Sequence, residues 1–255
     1  MNRILLPALA VLLLVTGCVT APKNTLMQVS TIDALLAGAY DGQMTLDELK
    51  EHGDLGIGTF DALEGEMIVI DGKVYQARTD GAVYEMPDQA TTPFADVVHF
   101  DADHTELLCG PLSAEDLQEK IDQLKPNRNL FLAFRIDGTF SSMKVRSVPK
   151  QEKPYPPLAD VVKHQAVFEY KDIQGTVLGF RSPAFVKGIG VPGYHLHFIS
   201  KDRTTGGHVL GLCLNDAILQ ADTCNDFFLT LTDRDEFGTL DLSKDRSHEL
   251  EKVEK

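Results

Sequence analysis

Beyond residue 55, the chain consists mainly of short apolar runs and of segments in which apolar and polar residues alternate. This pattern predicts a protein rich in β-strands. The clearest local signal lies at residues 63–77, where Asp71-Gly72 predicts a tight hairpin turn between two apolar runs. A second turn is predicted at Asp137-Gly138, between two further runs. Strands are also predicted at residues 97–100, 130–136, 141–148, 165–170, 175–180, 193–200, 208–214 and 227–232.

Three segments have helical patterns. Residues 33–37 have the apolar spacing of a short helix. Thr45 followed by Glu48 has the pattern of a capping box and predicts a helix start, and residues 113–124 predict a longer helix. The expected fold class is therefore α+β (mixed α/β), with mixed and antiparallel β-sheets and a few helices.

A proline-rich segment at residues 149–157 is the best candidate for a boundary between two subdomains. We predict an N-terminal α/β subdomain at residues 27–150 and a C-terminal β-rich subdomain at residues 151–242. Residues 243–255 form a charge-rich tail, which composition alone would place in solvent.

The N-terminus has the pattern of a bacterial lipoprotein signal peptide. Arg3 precedes an apolar run at residues 4–15, which is too short to span a bilayer, where about 20 residues are needed. Cys18 follows small residues, so we expect removal of residues 1–17 and lipidation of Cys18. Residues 19–26 would be a tether. The mature protein would be exported and held on the periplasmic or extracellular side of a membrane by its lipid anchor only. An ordinary signal peptide with an incidental cysteine is the alternative.

Charge and cysteine content exclude several classes of function. The formal net charge of -14 argues against nucleic acid as a partner, because neutralising phosphates requires clustered Lys and Arg. An anionic substrate would need a metal ion or a specific Arg to reverse the local field. After the leader, Cys109, Cys213 and Cys224 remain, so at most one disulfide can form. The sequence has no CxxC, Gly-rich phosphate loop, GxSxG or HExxH motif.

The strongest chemical signal is His195-Leu196-His197. In a strand, residues two apart share a face, so both imidazoles would point the same way while Leu196 faces the core. His208 follows a loop that contains Gly206 and Gly207, and the adjacent strand can bring it beside the pair. Three histidines with an open coordination position are typical of a catalytic zinc site, which would make the C-terminal subdomain the metal-binding one.

Two other interpretations of this pattern remain open. The histidines could be exposed or hydrogen-bonded side chains without a metal. A cupin site also begins with HxH, but it needs a glutamate four or five residues later, where this chain has Lys201 and Asp202. The remaining histidines have no partner at ligand spacing and are expected at the surface or in local hydrogen bonds: His52, His99, His104, His164 and His248.

An ordered set of segments resembles the acetolactate decarboxylase family, from about residue 27 to residue 241. The set includes GVPGYHLHF at residues 190–198 and FRIDGTF at residues 134–140, together with residues 28–36, 58–66, 144–148 and 206–209. The ordered set is far more specific than any one motif. The lipoprotein-like leader is not a general feature of the family.

The resemblance implies zinc-dependent decarboxylation of 2-acetolactate to acetoin and carbon dioxide by a homodimeric enzyme. It implies Zn2+ ligands at His195, His197 and His208, an active-site carboxylate at Glu66, an active-site guanidinium at Arg146, a substrate contact at Thr59, and a tail carboxylate at Glu254, with Glu249 and Glu251 as its neighbours. In this reaction Arg146 would hold the substrate carboxylate, and Glu66 or the tail glutamate would deliver a proton to carbon.

Two other functions are compatible with the residues. An exported, lipid-anchored protein with three histidines could bind or deliver zinc without catalysis, although the chain lacks the His-rich or acid-rich loop that zinc carriers often have. Another metal-dependent lyase or oxygenase could also use the same ligands, because ligands alone do not define a substrate.

Overall fold

The computed structural model describes residues 24–233 and 235–254. The predicted signal peptide, Cys18 and most of the predicted tether lie outside the described residues. The first strand begins at Thr25, inside the predicted tether, so the fold starts slightly earlier than expected. Within the described ranges, no helix is long and apolar enough to cross a membrane.

The structure is a mixed α+β fold, as predicted. Its strands are β1 (Thr25–Val29), β2 (Met44–Thr45), β3 (Leu55–Thr59), β4 (Glu66–Ile70), β5 (Lys73–Ala77), β6 (Val83–Glu85), β7 (Thr91–Thr92), β8 (Ala95–Val98), β9 (His104–Ser113), β10 (Phe131–Ser147), β11 (Ala166–Ser182), β12 (Gly193–Ser200), β13 (Gly206–Cys224) and β14 (Asp226–Thr230). Its helices are α1 (Ile32–Leu36), α2 (Leu46–Lys50), α3 (Ala114–Leu124), α4 (Leu158–Val161), α5 (Asp235–Thr239) and α6 (Ser247–Glu254), with short 3-10 turns at Asp61–Leu63, Val162–His164 and Ala184–Val186.

At the starts of α1, α2 and α3, side chains accept hydrogen bonds from backbone N–H groups of the first turn, which have no partner within the helix. Thr45 and Glu48 form the predicted capping box at the start of α2, and Ser113 and Asp116 form a second one at the start of α3. Thr31 caps α1 by accepting a hydrogen bond from an amide in its first turn.

The first sheet has seven strands in the order β14-β1-β8-β3-β4-β5-β6. The pairing of β1 with β14 is parallel and the other pairings are antiparallel, so the sheet is mixed as predicted. Asp71 and Gly72 join β4 to β5, and both have positive φ, as a two-residue hairpin turn of this hand requires. The predicted hairpin is therefore confirmed.

The second sheet has five antiparallel strands in the order β10-β11-β12-β13-β9. Strand β13 is long enough to pair with β12 near its start and with β10 along most of its length. The pairings of β10, β11, β12 and β13 therefore form a closed ring, and β9 adds to the outer side of β13. This closure places the start of β13 directly beside β12.

The turn predicted at Asp137-Gly138 is wrong, because β10 continues through both residues. Asp137 accepts hydrogen bonds from Arg135 and Thr176 and is therefore satisfied within the sheet. A Cβ atom at position 138 would lie 2.4 Å from the Cβ of Ala217. The glycine therefore allows the two strands to pack closely and does not form a turn. The strands predicted at 165–170 and 175–180 are likewise one strand, β11, and the strand predicted at 208–214 extends to Cys224 as β13.

Each sheet contains strands from both sides of the proline-rich segment at residues 149–157. Strands β9 and β10 precede this segment but belong to the second sheet, and β14 follows it but belongs to the first. The sheet topology therefore does not follow the predicted division at residue 150. The three described cysteines, Cys109, Cys213 and Cys224, are free thiols.

The two sheets pack against each other through a shared apolar core. Ile57 and Ile68 of the first sheet and Leu178 and Ile199 of the second are buried in this core. A third group of buried side chains, on α1, α4, α6 and nearby loops, lies at one end of the interface: Ile32, Leu35, Leu36, Tyr40, Leu63, Phe94, Val148, Leu158, Val161, Val191 and Val253. The candidate site lies between this group and the sheets.

Candidate metal centre

The three histidines of the predicted metal site converge because of strand register. His195 and His197 lie two residues apart on β12, while Leu196 between them is buried in the core of the second sheet. His208 is the residue directly opposite His197 in the pairing of β12 with β13. The same pairing that closes the second sheet therefore brings the third histidine beside the first two.

The geometry of these side chains suits a single metal ion. One ring nitrogen from each of His195, His197 and His208 lies within 4.8 Å of the other two, and all three residues are buried. The Nδ1 of His197 lies 2.7 Å from the carbonyl oxygen of Met67, to which it donates a hydrogen bond in the matching tautomer. The His197 Nε2 is then unprotonated and free to act as a ligand.

The ionisation state of the histidines also suits a cation. Burial, assisted by the nearby positive charge of Arg146, lowers the pKa of His195 to about 3. The pKa values of His197 and His208 lie well below their usual range, chiefly because of burial. Three neutral, buried imidazoles that face one another are costly without a shared partner, and a divalent cation would be such a partner.

Two glutamates approach the histidines from different elements. Glu66 at the start of β4 has its Oε2 3.7 Å from the Nε2 of His197. Glu254 at the end of α6 has its Oε2 3.8 Å from the Nε2 of His208 and 4.0 Å from that of His195. The carboxylates therefore lie on the side of the histidines where the ring nitrogens converge.

Both glutamates hold a proton more tightly than a solvated carboxylate would. Burial raises the pKa of Glu66 to about 7, Arg146 opposes this rise, and the charge of Glu254 adds to it. Burial also raises the pKa of Glu254 to about 7, again opposed by Arg146. Each carboxyl group can therefore carry a proton near neutral pH.

Arg146 supplies the positive charge of the site. It lies on β10, directly opposite His208 in the pairing of β10 with β13, and its side chain is buried. Its Nη1 donates to the Oε1 of Gln165 at 3.3 Å, and its Nε has no partner among the described residues. The guanidinium therefore keeps free N–H groups toward a bound anion.

Thr59 completes the polar side of the cavity. It lies at the end of β3, opposite Glu66 in the pairing of β3 with β4. Its hydroxyl donates to the carbonyl oxygen of Gly65 at 2.8 Å, so only its lone pairs remain for a ligand.

These side chains line one small cavity of about 40 Å³. A volume of this size holds a few water molecules. Apolar side chains form the remaining wall: Ile32, Leu35, Leu63, Phe94, Val148, Leu158 and Val253. Glu254 lines both this cavity and a larger surface pocket of about 850 Å³, formed by the C-terminal segment and the loop before β12.

A sequence model of the alpha-acetolactate decarboxylase family matches residues 26–244. The chain belongs to this family. It is 49% identical over 233 residues to an alpha-acetolactate decarboxylase of Methanosarcina mazei, covering 91% of this chain and 81% of that protein. It is 40% identical over 234 residues to the Brevibacillus brevis enzyme of the same name, covering 92% and 82% of the two chains.

Solved structures of the family have the same fold. The crystal structure of alpha-acetolactate decarboxylase from Bacillus subtilis strain 168 matches with a TM-score of 0.88 and 38% identity, over 90% of this chain and 99% of that one. The family match in sequence ends before α6, so the position of Glu254 comes from the structure of this chain.

The structure brings together every residue predicted for the site: Thr59, Glu66, Arg146, His195, His197, His208 and Glu254. The alternative tail residues lie elsewhere, since Glu249 pairs with Arg246 and Glu251 is exposed. Two contacts were missed, the carbonyl group of Met67 and the amide of Gln165. A backbone carbonyl and a neutral amide carry no recognisable signal in a single sequence.

Proposed function

We propose that this chain catalyses the decarboxylation of 2-acetolactate to acetoin and carbon dioxide, with zinc held by His195, His197 and His208. Membership of the family supports the reaction. The single observation that carries the proposal is the convergence, on one cavity, of three neutral imidazoles, one guanidinium and two carboxyl groups with raised pKa values. These groups suit the decarboxylation of a 2-hydroxy-3-oxo acid, because they can bind its carboxylate, stabilise charge on its oxygen atoms and supply a proton.

The substrate itself provides the electron sink. Its keto group lies β to the carboxylate, so the electron pair of the breaking C–C bond can move onto oxygen as carbon dioxide leaves. This step needs no pyridoxal or thiamine cofactor. A divalent metal, when bound, would act as a Lewis acid that stabilises the negative charge developing on substrate oxygen.

The residues of the chain would orient the substrate. Arg146 has free guanidinium N–H groups in a buried setting and would bind the carboxylate. Thr59 donates its own proton to the carbonyl group of Gly65, so it would accept a hydrogen bond from the substrate hydroxyl. Apolar side chains around the cavity would exclude water from the carbanion-like product of the first step.

A proton must then reach carbon to form acetoin. Glu66 and Glu254 are the two candidates, because burial raises the pKa of each to about 7. Either carboxyl group could deliver its proton and recover it from solvent as a general acid. The two glutamates come from different elements, Glu66 from β4 and Glu254 from α6.

Zinc is proposed because of the donor set. Three histidines with no thiolate leave an open position, which is typical of catalytic zinc. A non-catalytic zinc-binding lipoprotein and another metal-dependent lyase are the alternative functions. Neither alternative accounts for a buried arginine and two proton-holding glutamates as directly as the proposed reaction does.

The test is product formation by the purified protein. Incubation with racemic 2-acetolactate should release acetoin and carbon dioxide in equal amounts above the spontaneous rate. Retention of the substrate by folded, zinc-loaded protein would favour the zinc-binding function. Conversion of a different hydroxy-keto acid would favour another lyase.

Export, lipidation and assembly are proposals that depend on the sequence and on the family resemblance. We propose that residues 1–17 are removed, that Cys18 carries lipid on the periplasmic or extracellular side, and that the enzyme is a homodimer. Radiolabelled palmitate should enter the full-length protein and not Cys18→Ala. Analytical ultracentrifugation of the purified protein should give twice the mass of one chain.

A further inference from the structure

We propose that Gln165 is a positioning residue, which orients the guanidinium of Arg146 toward the substrate carboxylate while leaving its positive charge intact. The inference depends on the proposed function, since it assigns a role in carboxylate binding. It concerns a residue outside the set of metal and proton-transfer groups.

The contact between the two side chains is specific. The Nη1 of Arg146 donates to the Oε1 of Gln165 at 3.3 Å. The Nε of Arg146 is buried and has no partner in the described part of the chain, and no described carboxylate lies within ion-pair distance of the guanidinium. Gln165 is thus the side chain that restrains this guanidinium.

The backbone holds Gln165 in place for this contact. Gln165 follows the 3-10 turn Val162–His164, and its backbone N–H donates to the carbonyl oxygen of Val162 at 3.2 Å. It immediately precedes β11, in which Val167 lies directly opposite Arg146 on β10. Gln165 therefore lies next to the strand that pairs with β10, and the register of that pairing brings its side chain near Arg146.

The neutrality of Gln165 matters for the chemistry. Most arginines buried in proteins are paired with a carboxylate, which satisfies the guanidinium but cancels its charge. An amide oxygen satisfies one N–H group and leaves the full charge for a ligand. In a chain with a net charge of -14, a buried guanidinium without a carboxylate partner would attract an anionic substrate.

Two substitutions separate orientation from charge. Gln165→Glu keeps the size of the side chain and adds a carboxylate that would pair with Arg146, whereas Gln165→Leu removes the hydrogen bond without adding charge. Gln174→Glu and Gln174→Leu are matched controls, because Gln174 lies on β11, the strand that Gln165 immediately precedes, is exposed, and contacts Lys201 rather than the site. Thermal unfolding of all four variants establishes that each is folded.

The first measurement is calorimetric binding of 2-hydroxy-2-methylpropanoate to the zinc-loaded full chain. This probe has the carboxylate and hydroxyl groups of the substrate but no keto group, so it cannot lose carbon dioxide. We expect Gln165→Glu to raise the Kd at least about tenfold and Gln165→Leu to raise it less, with changes under about twofold for the Gln174 variants. Unchanged affinity in both folded Gln165 variants would overturn the proposal, as would the absence of probe binding to the unsubstituted protein.

The second measurement asks whether Gln165 acts through Arg146. In a double-mutant cycle, Gln165→Leu should lower probe affinity in the parent protein and have almost no further effect in Arg146→Gln. Additive losses would mean that Gln165 has an ordinary structural role and would overturn the proposal. If the protein binds the probe but forms no acetoin, the proposed reaction is wrong. The role of Gln165 is still tested by the affinities of the variants, so failure of the reaction and failure of the Gln165 proposal are distinguishable.

Discussion

The Oε2 of Glu254 lies 3.8 Å from the Nε2 of His208, although Glu254 ends the last helix and His208 lies near the start of β13. Helix α6 reaches this position because Val253 is buried in the apolar group that includes Leu36 and Leu158. The adjacent Glu254 side chain is 17% exposed and turns into the cavity. The C-terminal tail is therefore part of the site.

Replacement of Glu254 tests this contribution of the tail. We expect Glu254→Gln to lower kcat by about a hundredfold or more, since a positioned proton donor typically contributes a factor of that size. Steady-state acetoin formation measures the effect. Glu251→Gln is the matched control, because Glu251 lies on the same helix with its side chain 64% exposed. Equal activity of the two variants would exclude Glu254 from proton transfer and from metal binding.

Replacement of Arg146 separates substrate binding from metal binding. We expect Arg146→Gln to lower kcat/KM by about a hundredfold, a cost typical of losing one charge-stabilising donor, with metal content unchanged. Metal analysis and steady-state kinetics on the same preparation measure both quantities. Lys144→Gln is the control, because Lys144 is on the same strand but is exposed. Normal kcat/KM in Arg146→Gln would remove the guanidinium from the mechanism.

Replacement of two histidines tests the location of the metal. The double variant His195→Ala and His197→Ala should contain no zinc after purification, because one imidazole does not hold a divalent ion firmly. Zinc at a hundred times its Kd should stabilise the parent protein by about 2.7 kcal/mol and leave the double variant unchanged. His104→Ala, at a partly exposed histidine on β9, should behave like the parent protein. Full zinc occupancy of the double variant would place the metal elsewhere.

Asp96 gives a prediction about stability that is independent of the metal ligands. It is buried on β8, its Oδ1 has no partner among the described residues, and burial raises its pKa to about 7. Between pH 3.8 and about 7 the carboxyl group ionises in the unfolded chain but stays protonated in the folded one. The free energy of unfolding should therefore fall as the pH rises through this window, by up to about 1.4 kcal/mol per pH unit for this group.

Asp96→Asn removes that contribution. Urea unfolding of metal-free protein at several pH values should give a shallower fall for Asp96→Asn than for the parent protein, with the difference confined to the same window. Glu66 and Glu254 titrate in both proteins, so their contribution cancels in the comparison. Identical pH profiles would mean that the Asp96 carboxylate is stabilised in the folded state.

Parts of the site were predictable because they depend on local periodicity. The two-residue spacing of His195 and His197 requires only that the segment be a strand. The approach of His208 depends on the register between β12 and β13, which no local pattern specifies. The tail composition predicted a solvated segment, but Val253 is buried in the apolar group at the end of the interface and Leu250 packs against that group. Composition could not reveal this, because docking depends on a matching apolar surface from distant elements.

The fold was predictable to a similar degree. The strand-rich class and the Asp71-Gly72 hairpin follow from alternation and turn chemistry. The same dipeptide at Asp137-Gly138 predicted a turn but lies within a strand. The long-range pairing of β10 with β11 and β13 overrides the local turn preference there. Two dipeptides of the same composition thus adopt different structures according to what lies opposite them.

The decisive measurement of zinc-dependent decarboxylation is acetoin formation from racemic 2-acetolactate before chelation, after chelation and after zinc is returned. We expect the purified protein to be active, to lose that activity when the metal is removed, and to recover it with zinc. If folded protein with zinc bound at the three histidines forms no acetoin, the proposed reaction is wrong.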